Sequence, residues 1–304
     1  MKTVLAIAVV MVTLINVDRV SVEALQAQDR AATLVTQVRT ALGGEQKLAA
    51  VKALSAEGPS RRALGARSVE SSVTLLLVRP DKLRRSEESA LFGATTERIS
   101  TFDGAQAWDE TVAATRVGGG GGGGDHNHGA GGFAGAFAGG DHNHDDGRGA
   151  ADSGGPDSAL TPEQQSMARL RRMKMALQRW TIAFLAESNQ PFTDAGRADS
   201  PDGPADVLDT KDEAGRAVRW FIDPASHMPL MVQYQEVRAQ ALTASGPRTS
   251  TVAMHLSGYK KVDGVMLPHQ IDVSIDGKAS EAWTIDTFKI NPKVKTSAFQ
   301  KAAK

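Results

Sequence analysis

Cysteine is absent from this 304-residue chain, which excludes both a disulfide framework and a lipid-modified amino-terminal cysteine. An excess of charge of either sign is also lacking, since 35 Lys and Arg residues balance 35 Asp and Glu residues. This balance removes the global electrostatic argument for a nucleic-acid partner. A long hydrophobic run is missing too: the apolar stretch from Val4 to Ile15 is shorter than the roughly 20 residues of a usual membrane span.

The amino terminus has the pattern of a secretory signal. Met1-Lys2 precedes the short apolar stretch, and polar residues follow it from Asn16. Small residues near Ala24 and Ala27 fit a cleavage site, so we predict a signal peptide over residues 1–24 and a mature, periplasmic protein. An uncleaved membrane anchor is the alternative.

The mature chain lacks the local motifs of common enzymes. It has no nucleophile elbow and no His-Glu-x-x-His pair, and the glycine run from Gly118 lacks the lysine and helix start of a phosphate-binding loop. His255 and His269 lie in predicted strands, where a lone histidine is usually packed rather than catalytic. We therefore expect a protein that is not an enzyme.

Two helices are predicted, one before and one after a first group of strands. The first spans residues 26–42 and ends at Gly43-Gly44, and a short helical turn over Glu45–Ala49 should follow it. The second begins with Thr161 as N-cap, Pro162 in the first helical position and Gln164 closing a capping box. Its apolar residues form one stripe, which comprises Met167, Leu170, Met173, Leu177, Trp180 and Phe184.

The rest of the mature chain is dominated by predicted strands. Residues 73–78 are apolar on both faces, which indicates a central strand, and Asp103-Gly104 predicts a hairpin turn between weaker strands. The last third of the chain alternates apolar and polar residues between short turns, as in an antiparallel meander with one apolar face. Because only the helices could cover that face, the fold class is α+β.

A low-complexity segment interrupts this pattern at residues 118–158, where Gly, Asp, His, Ala and Asn dominate. We expect an insertion without a packed core, because little of it could bury apolar area. It holds four histidines in two Asp-His-Asn-His blocks, His126, His128, His142 and His144, which could bind zinc, copper or nickel weakly. A solvated insertion that binds metal incidentally is the alternative, and no other cofactor is expected.

Several motifs, in this order, resemble the outer-membrane lipoprotein-sorting family, which includes a periplasmic lipoprotein carrier and its receptor. They are an Ala-Leu-Gly-Gly helix end at residue 44, Asp103-Gly104 before Trp108, Arg179-Trp180, Val262-Asp263-Gly264-Val265 with Leu267-Pro268, and a closing segment from Asn291 to Phe299. The resemblance covers nearly all of residues 25–304 except the insertion. It implies a single domain, a strongly curved antiparallel sheet forming an incomplete barrel, and helices that cover its concave face.

For function, the resemblance implies binding of acyl chains or another apolar ligand between sheet and helices, without catalysis. The partners would be a lipid or lipoprotein and an envelope membrane protein. The lining candidates are the alternating apolar residues of the strands with two residues of the second helix: Leu177, Trp180, Val218, Trp220, Ile222, Leu230, Val232, Met254, Leu256, Ile271, Val273, Trp283 and Ile285. Two alternatives stay open, namely a metal-binding protein that uses the insertion and an exported structural or interaction module.

Overall fold

The computed structural model describes residues 26–65, 67–91, 94–113, 161–238 and 248–301. The predicted signal peptide over residues 1–24 and the Gly/His-rich insertion over residues 118–158 lie outside these ranges. Within the described ranges, no helix combines the length and apolar character that a membrane crossing requires.

The described residues form helices and strands close to those predicted. The helices are α1 (26–41), α2 (Glu45–Ala50) and α3 (Pro162–Leu185), with a 3₁₀ turn at Thr296–Phe299. The strands are β1 (Ala53–Leu64), β2 (Arg67–Val78), β3 (Lys82–Leu91), β4 (Ala94–Phe102), β5 (Ala107–Ala113), β6 (Thr193–Ser200), β7 (Gly203–Lys211), β8 (Ala217–Ile222), β9 (Pro229–Arg238), β10 (Arg248–Val262), β11 (Val265–Ile275), β12 (Lys278–Thr284) and β13 (Thr287–Ile290).

All thirteen strands belong to one antiparallel sheet made of two meanders. Strands β1 to β5 pair in chain order, strands β6 to β12 pair in chain order, and β1 joins the two meanders by pairing with β12. Strands β5 and β6 form the two edges of this path, so the sheet is open and α3 connects its edges. The predicted α+β incomplete barrel is confirmed.

The junction between the two meanders depends on Gly58 in β1. The sequence suggested one strand through Trp283 and Ile285, but the chain ends β12 at Thr284 and begins β13 at Thr287, and both pair with β1. A Cβ atom on Gly58 would lie 2.0 Å from the Thr284 carbonyl oxygen, so only glycine fits at this bend. The Trp283 Nε1 donates a hydrogen bond of 3.2 Å to the Gly58 carbonyl.

The helix ends follow the signals in the sequence. The Gln164 amide donates to Thr161 Oγ1 at 3.3 Å and the Thr161 amide donates to Gln164 Oε1 at 2.9 Å, which completes the predicted capping box. At the end of α1, Gly43 has a φ of 129°, and a Cβ there would lie 2.4 Å from the Gly264 carbonyl oxygen. The Met266 amide donates to the Leu42 carbonyl at 2.8 Å, which fixes α1 to the turn between β10 and β11.

Strands β6 and β7 were not predicted individually. Residues 193–200 are mostly polar and partly exposed, so they carry little of the alternation that identifies a strand. Their conformation comes instead from hydrogen bonds to β7, which in turn pairs with β8. This edge of the sheet is therefore set by pairing rather than by a buried face.

Two hydrophobic clusters lie on opposite faces of the sheet. The large one fills the inner face, which we define as the face covered by α3. The small one lies on the outer face and comprises Ala205, Val207, Phe221, Met231 and Ala253. Because strand side chains alternate between faces, neighbours such as Phe221 and Ile222 belong to different clusters.

Candidate ligand-binding site

Aromatic rings join α3 to the inner face of the sheet. The Trp180 ring meets Trp283 of β12 edge-on with centroids 5.7 Å apart, and Phe184 meets Phe288 of β13 edge-on at 5.6 Å. Trp180 also stacks on Phe184 at 5.3 Å. These contacts form because residues 177, 180 and 184 lie on one side of the helix. The helix thus covers the sheet mainly through apolar side chains.

The structure brings nearly all the predicted lining residues together. Twelve belong to or pack against the large inner cluster: Leu177, Trp180, Val218, Trp220, Ile222, Val232, Met254, Leu256, Ile271, Val273, Trp283 and Ile285. The prediction for Leu230 is wrong, because this residue packs against the small outer cluster. The pairing of β8 with β9 shifts between Phe221 and Ile222, and such an irregularity changes the face on which the next residue lies.

The apolar part of the inner face is closed to water. Trp220, Ile222 and Val232 are 0% exposed, and Phe184 from α3 is equally inaccessible. The stripe on α3 is not covered over its whole length, since Met167 near the start of the helix is 63% exposed. In this state, side chains of the protein itself occupy the space in which a ligand is expected.

Polar links hold α3 near its beginning and its middle. Asp109 of β5 accepts hydrogen bonds from Arg169 Nε at 2.9 Å and from Arg172 Nη2 at 2.8 Å. Halfway along the helix, Gln178 Nε2 donates to the Lys211 carbonyl at 2.8 Å. The first half of α3 is therefore tied to β5 on one edge of the sheet, and its second half is tied to the end of β7 near the other edge.

A second set of links holds the end of α3. Arg39 of α1 donates through Nη1 to the carbonyls of Leu185 and Ala186, both at 3.1 Å. Arg79 forms an ion pair of 2.5 Å with Glu187 just after the helix. Arg39 thus donates hydrogen bonds to carbonyls that have no partner within the helix, and Arg79 neutralises Glu187. Both cations lie at the carboxyl end of α3, where the helix dipole favours positive charge. All the hydrogen bonds named here between α3 and the rest of the chain involve a side chain.

Four charged side chains form a network at one end of the inner face. Arg85 of β3 pairs with Glu281 of β12 at 2.6 Å, and Arg62 of β1 pairs with Glu87 of β3 at 2.8 Å. Longer contacts of 3.6 and 3.7 Å cross-link the two pairs, and Ser60 Oγ donates to Glu281 at 2.8 Å. Their side chains are 13–20% exposed, so water reaches this end although it does not reach the apolar part.

The network lowers the pKa of Glu281. Burial alone would raise this pKa, but the positive charges of Arg85 and Arg62, with hydrogen bonds from Ser60 and Arg85, outweigh burial and hold it below the usual value of 4.5. Burial would likewise lower the pKa of Arg85, but Glu281 and Glu87 raise it. Glu281 and Arg85 are therefore both charged near neutral pH.

Arg179 on α3 lies apart from these ion pairs. Its guanidinium carbon is 3.8 Å from the centre of the Tyr234 ring, a cation–π contact, and the residue is only 8% exposed. Among the described residues, no carboxylate lies within 4 Å of its guanidinium. Burial raises the pKa of Tyr234, and the charges of Arg179, Glu236, Glu281 and Arg85 also act on this ring. Arg179 therefore shares one environment with the network but is not neutralised by it.

Three histidines lie within the described ranges. His255 Nδ1 contacts Asp202 at 2.7 Å, His269 Nδ1 contacts the Leu267 carbonyl at 3.1 Å, and His227 Nδ1 is buried without a partner. Within these ranges, no group of three or more His, Cys, Asp or Glu residues is arranged to hold a metal ion. The predicted metal ligands His126, His128, His142 and His144 lie outside the described residues, so that hypothesis stays a prediction.

Two shallow grooves lie beside the end of α1 rather than beneath α3. The larger, of about 490 Å³, runs between this helix end and the β8–β9 and β10–β11 turns, and Lys47, Lys261, Met228 and Met266 contribute to its walls. The smaller, of about 300 Å³, is lined by α1 residues and His227. Neither groove contains a predicted lining residue.

Comparison with known proteins finds similarity at the level of structure. No family model and no curated protein matches the chain. Solved structures do match, among them a DUF1329 family protein from Desulfovibrio piger, with 7% identity, 90% of this chain and 97% of that chain covered, and a TM-score of 0.44. A putative outer membrane lipoprotein-sorting protein domain from Vibrio parahaemolyticus has 10% identity, 84% and 93% coverage, and a TM-score of 0.40.

A LolA superfamily protein from Nitrosomonas europaea is similar as well, with 9% identity, 89% of this chain and 97% of that chain covered, and a TM-score of 0.43. Of these proteins, the one from Vibrio parahaemolyticus is described as a lipoprotein-sorting protein domain.

The charged network and Arg179 were not predicted as part of the site. The sequence does contain a signal for the network. Arg85 and Glu87 follow Leu83 at steps of two residues, and Glu281 lies two residues before Trp283. In a strand, residues two apart share a face, so these charges had to point inward with their apolar neighbours. Alternation of apolar residues alone does not identify these charged positions.

Proposed function

We propose that this protein is a periplasmic carrier or sensor that binds an apolar ligand between α3 and the inner face of the sheet, without catalysis. The ligand is a lipid or the acyl chains of a lipoprotein, and a membrane protein of the envelope delivers or receives it. One observation supports this most directly: α3 covers a broad apolar face of an open sheet. Support comes from the architecture of this chain alone.

An open sheet with a helical cover can admit a ligand without breaking strand pairing. Moving α3 would separate side-chain links to Asp109, Arg39 and Lys211, while the backbone ladder of the sheet stays intact. The exposed ion pairs to Asp109 contribute up to about 1 kcal/mol each, and a hydrogen bond to a carbonyl contributes about 0.5–1.5 kcal/mol. The structure is then the closed state, in which Trp180 and Phe184 occupy the place of the ligand.

The energetics of exchange follow from the apolar packing between α3 and the sheet. Opening exposes the rings of α3 and the facing sheet residues, at a cost of about 25 cal/mol per Å² of apolar surface. A bound chain recovers about 0.8 kcal/mol for each buried methylene. An acyl chain that buries as much apolar surface as opening exposes therefore offsets the cost of moving α3 away from the sheet, and release occurs when the helix closes again.

The experiment is titration of the purified protein with N-phenyl-1-naphthylamine, an uncharged probe that fluoresces in apolar surroundings and accepts energy from tryptophan. Trp180→Phe should reduce the energy transfer, because Trp180 lies on the proposed binding face. Trp108→Phe is the matched control, because Trp108 follows Ala107 and precedes the inward-facing Asp109 and therefore lies on the outer face. A folded protein that does not bind the probe contradicts the proposal.

A second candidate is an exported structural or interaction module, and the filled inner face is the observation that favours it. If Phe184 and its neighbours are permanent core, the sheet has no room for a ligand. The two functions differ in native mass spectrometry of protein purified from its own envelope. A carrier retains lipid of discrete mass, whereas a module appears only at the mass of its chain.

A further inference from the structure

The charges of the inner face define a class of ligand within the proposed function, on which this inference rests. Arg179 is 8% exposed, and a charge so deeply buried is unfavourable unless a counter-charge compensates it. Glu281 and Glu87, the two carboxylates of the neighbouring network, already bind Arg85 and Arg62. Glu236, a third carboxylate that acts electrostatically on Tyr234, forms no ion pair with Arg179 among the described residues. Within the described part of the chain, Arg179 has only the Tyr234 ring as a partner.

Two further donors in the same region have no acceptor. The Nε atom of Arg85 and the Nε1 atom of Trp220 are buried, and neither donates a hydrogen bond within the described residues. A buried donor without an acceptor is rare and costly. Trp220 pairs with Val232 across β8 and β9, two positions from Tyr234, so its indole lies diagonally next to the ring that carries Arg179.

These donors lie where the charged and apolar parts of the inner face meet. The network is 13–20% exposed, whereas Trp220, Val232 and Ile222 are fully inaccessible. A molecule with a charged group at one end and an apolar chain at the other would match this arrangement of a charged region next to an apolar one. Arginine is well suited to the charged end, because its planar guanidinium binds two oxygens of a carboxylate or phosphate at once.

We propose that the ligand is an anionic amphiphile, whose head group binds Arg179 and the free donor of Arg85 while its chain lies on the apolar wall beside Trp220. The head group supplies the acceptor oxygens that the Arg179 guanidinium and the Arg85 Nε lack. Arg179 therefore selects the ligand by charge, and the wall holds it by apolar contact.

The test compares two probes with the same chain, cis-parinaric acid and its uncharged methyl ester. Each fluorescent probe is titrated into the wild type, Arg179→Gln and Arg171→Gln. Arg171 lies on the same helix but is exposed, so its variant is the matched control. We expect the wild type and the control to bind the acid at least tenfold more tightly than the ester. In Arg179→Gln, the dissociation constant of the acid should rise at least tenfold and that of the ester should change less than twofold.

The outcomes separate this inference from the proposed function. If the ester binds but Arg179→Gln still binds the acid at least tenfold more tightly than the ester, the anionic site is refuted and the carrier function stands. If neither probe binds the folded wild type, the anionic site and the carrier function both fail.

A second titration uses inorganic phosphate alone, which should not bind in the micromolar range. Phosphate binding that Arg179→Gln abolishes would show that the site takes a free anion and would overturn the proposed amphiphile. Arg179→Met, which keeps an unbranched apolar side chain, serves for the same comparison if thermal unfolding shows that Arg179→Gln is not folded.

Discussion

Phe184→Ala distinguishes a helical cover that competes with a ligand from an ordinary core. Phe184 is fully buried, stacks on Trp180 at 5.3 Å and meets Phe288 edge-on at 5.6 Å. Truncating such a ring typically costs about 3–5 kcal/mol, of which each aromatic pair supplies about 0.5–1.5 kcal/mol. We expect a loss within this range, measured by urea unfolding followed by circular dichroism.

The same substitution should improve binding of an apolar ligand. The vacated space can accept about three methylenes of a chain, each worth about 0.8 kcal/mol, so the affinity should rise by about 2.4 kcal/mol or roughly fiftyfold. The assay is titration with the methyl ester of cis-parinaric acid. Phe221→Ala is the control, because this ring is also buried but lies in the outer cluster. Equal destabilisation of both variants with unchanged affinity in Phe184→Ala would refute the competition between helix and ligand.

Three further predictions concern stability and the insertion. Glu281→Gln should lower the free energy of unfolding by about 3 kcal/mol at pH 7, because Arg85 loses its buried counter-charge. Since the pKa of Glu281 is lowered in the folded state, this difference should be complete above about pH 4.5 and disappear as the pH falls further, which urea unfolding between pH 3 and 7 will measure. Asn291→Ala should cost about 1–3 kcal/mol in the same assay, because the Asn291 side chain accepts hydrogen bonds from the amides of Lys52 at 2.7 Å and Ala53 at 3.1 Å. Calorimetric titration with zinc or copper should show weak binding that is lost on deletion of residues 118–158, and equal affinity with and without the segment would exclude it as the metal site.

The elements with strong local signals were predictable from the sequence. The capping box at Thr161 fixes the start of α3, and Gly43 marks the end of α1, because each signal depends on a few neighbouring residues. The alternating apolar residues of β8 to β12 likewise identified the inner face, since a buried face imposes the period of two.

The remaining features depend on contacts between residues distant in sequence. Strand β6 is polar and is held by pairing with β7, and the division of β12 from β13 follows from the close approach of Gly58 to Thr284. Leu230 lies on the outer face because of a register shift that alternation alone does not reveal. The surroundings of Arg179 include Glu281, which lies about a hundred residues later in the chain and pairs with Arg85.

Electron paramagnetic resonance distance measurement tests the movement of α3 most directly. Because the chain has no native cysteine, nitroxide labels can be placed at Arg171→Cys on α3 and Glu57→Cys on the outer side of β1, both exposed positions. Saturation with the methyl ester should lengthen the distance between the labels by at least about 5 Å, the pitch of one helical turn. An unchanged distance distribution with the ester bound would show that the ligand does not displace α3 and would contradict the account.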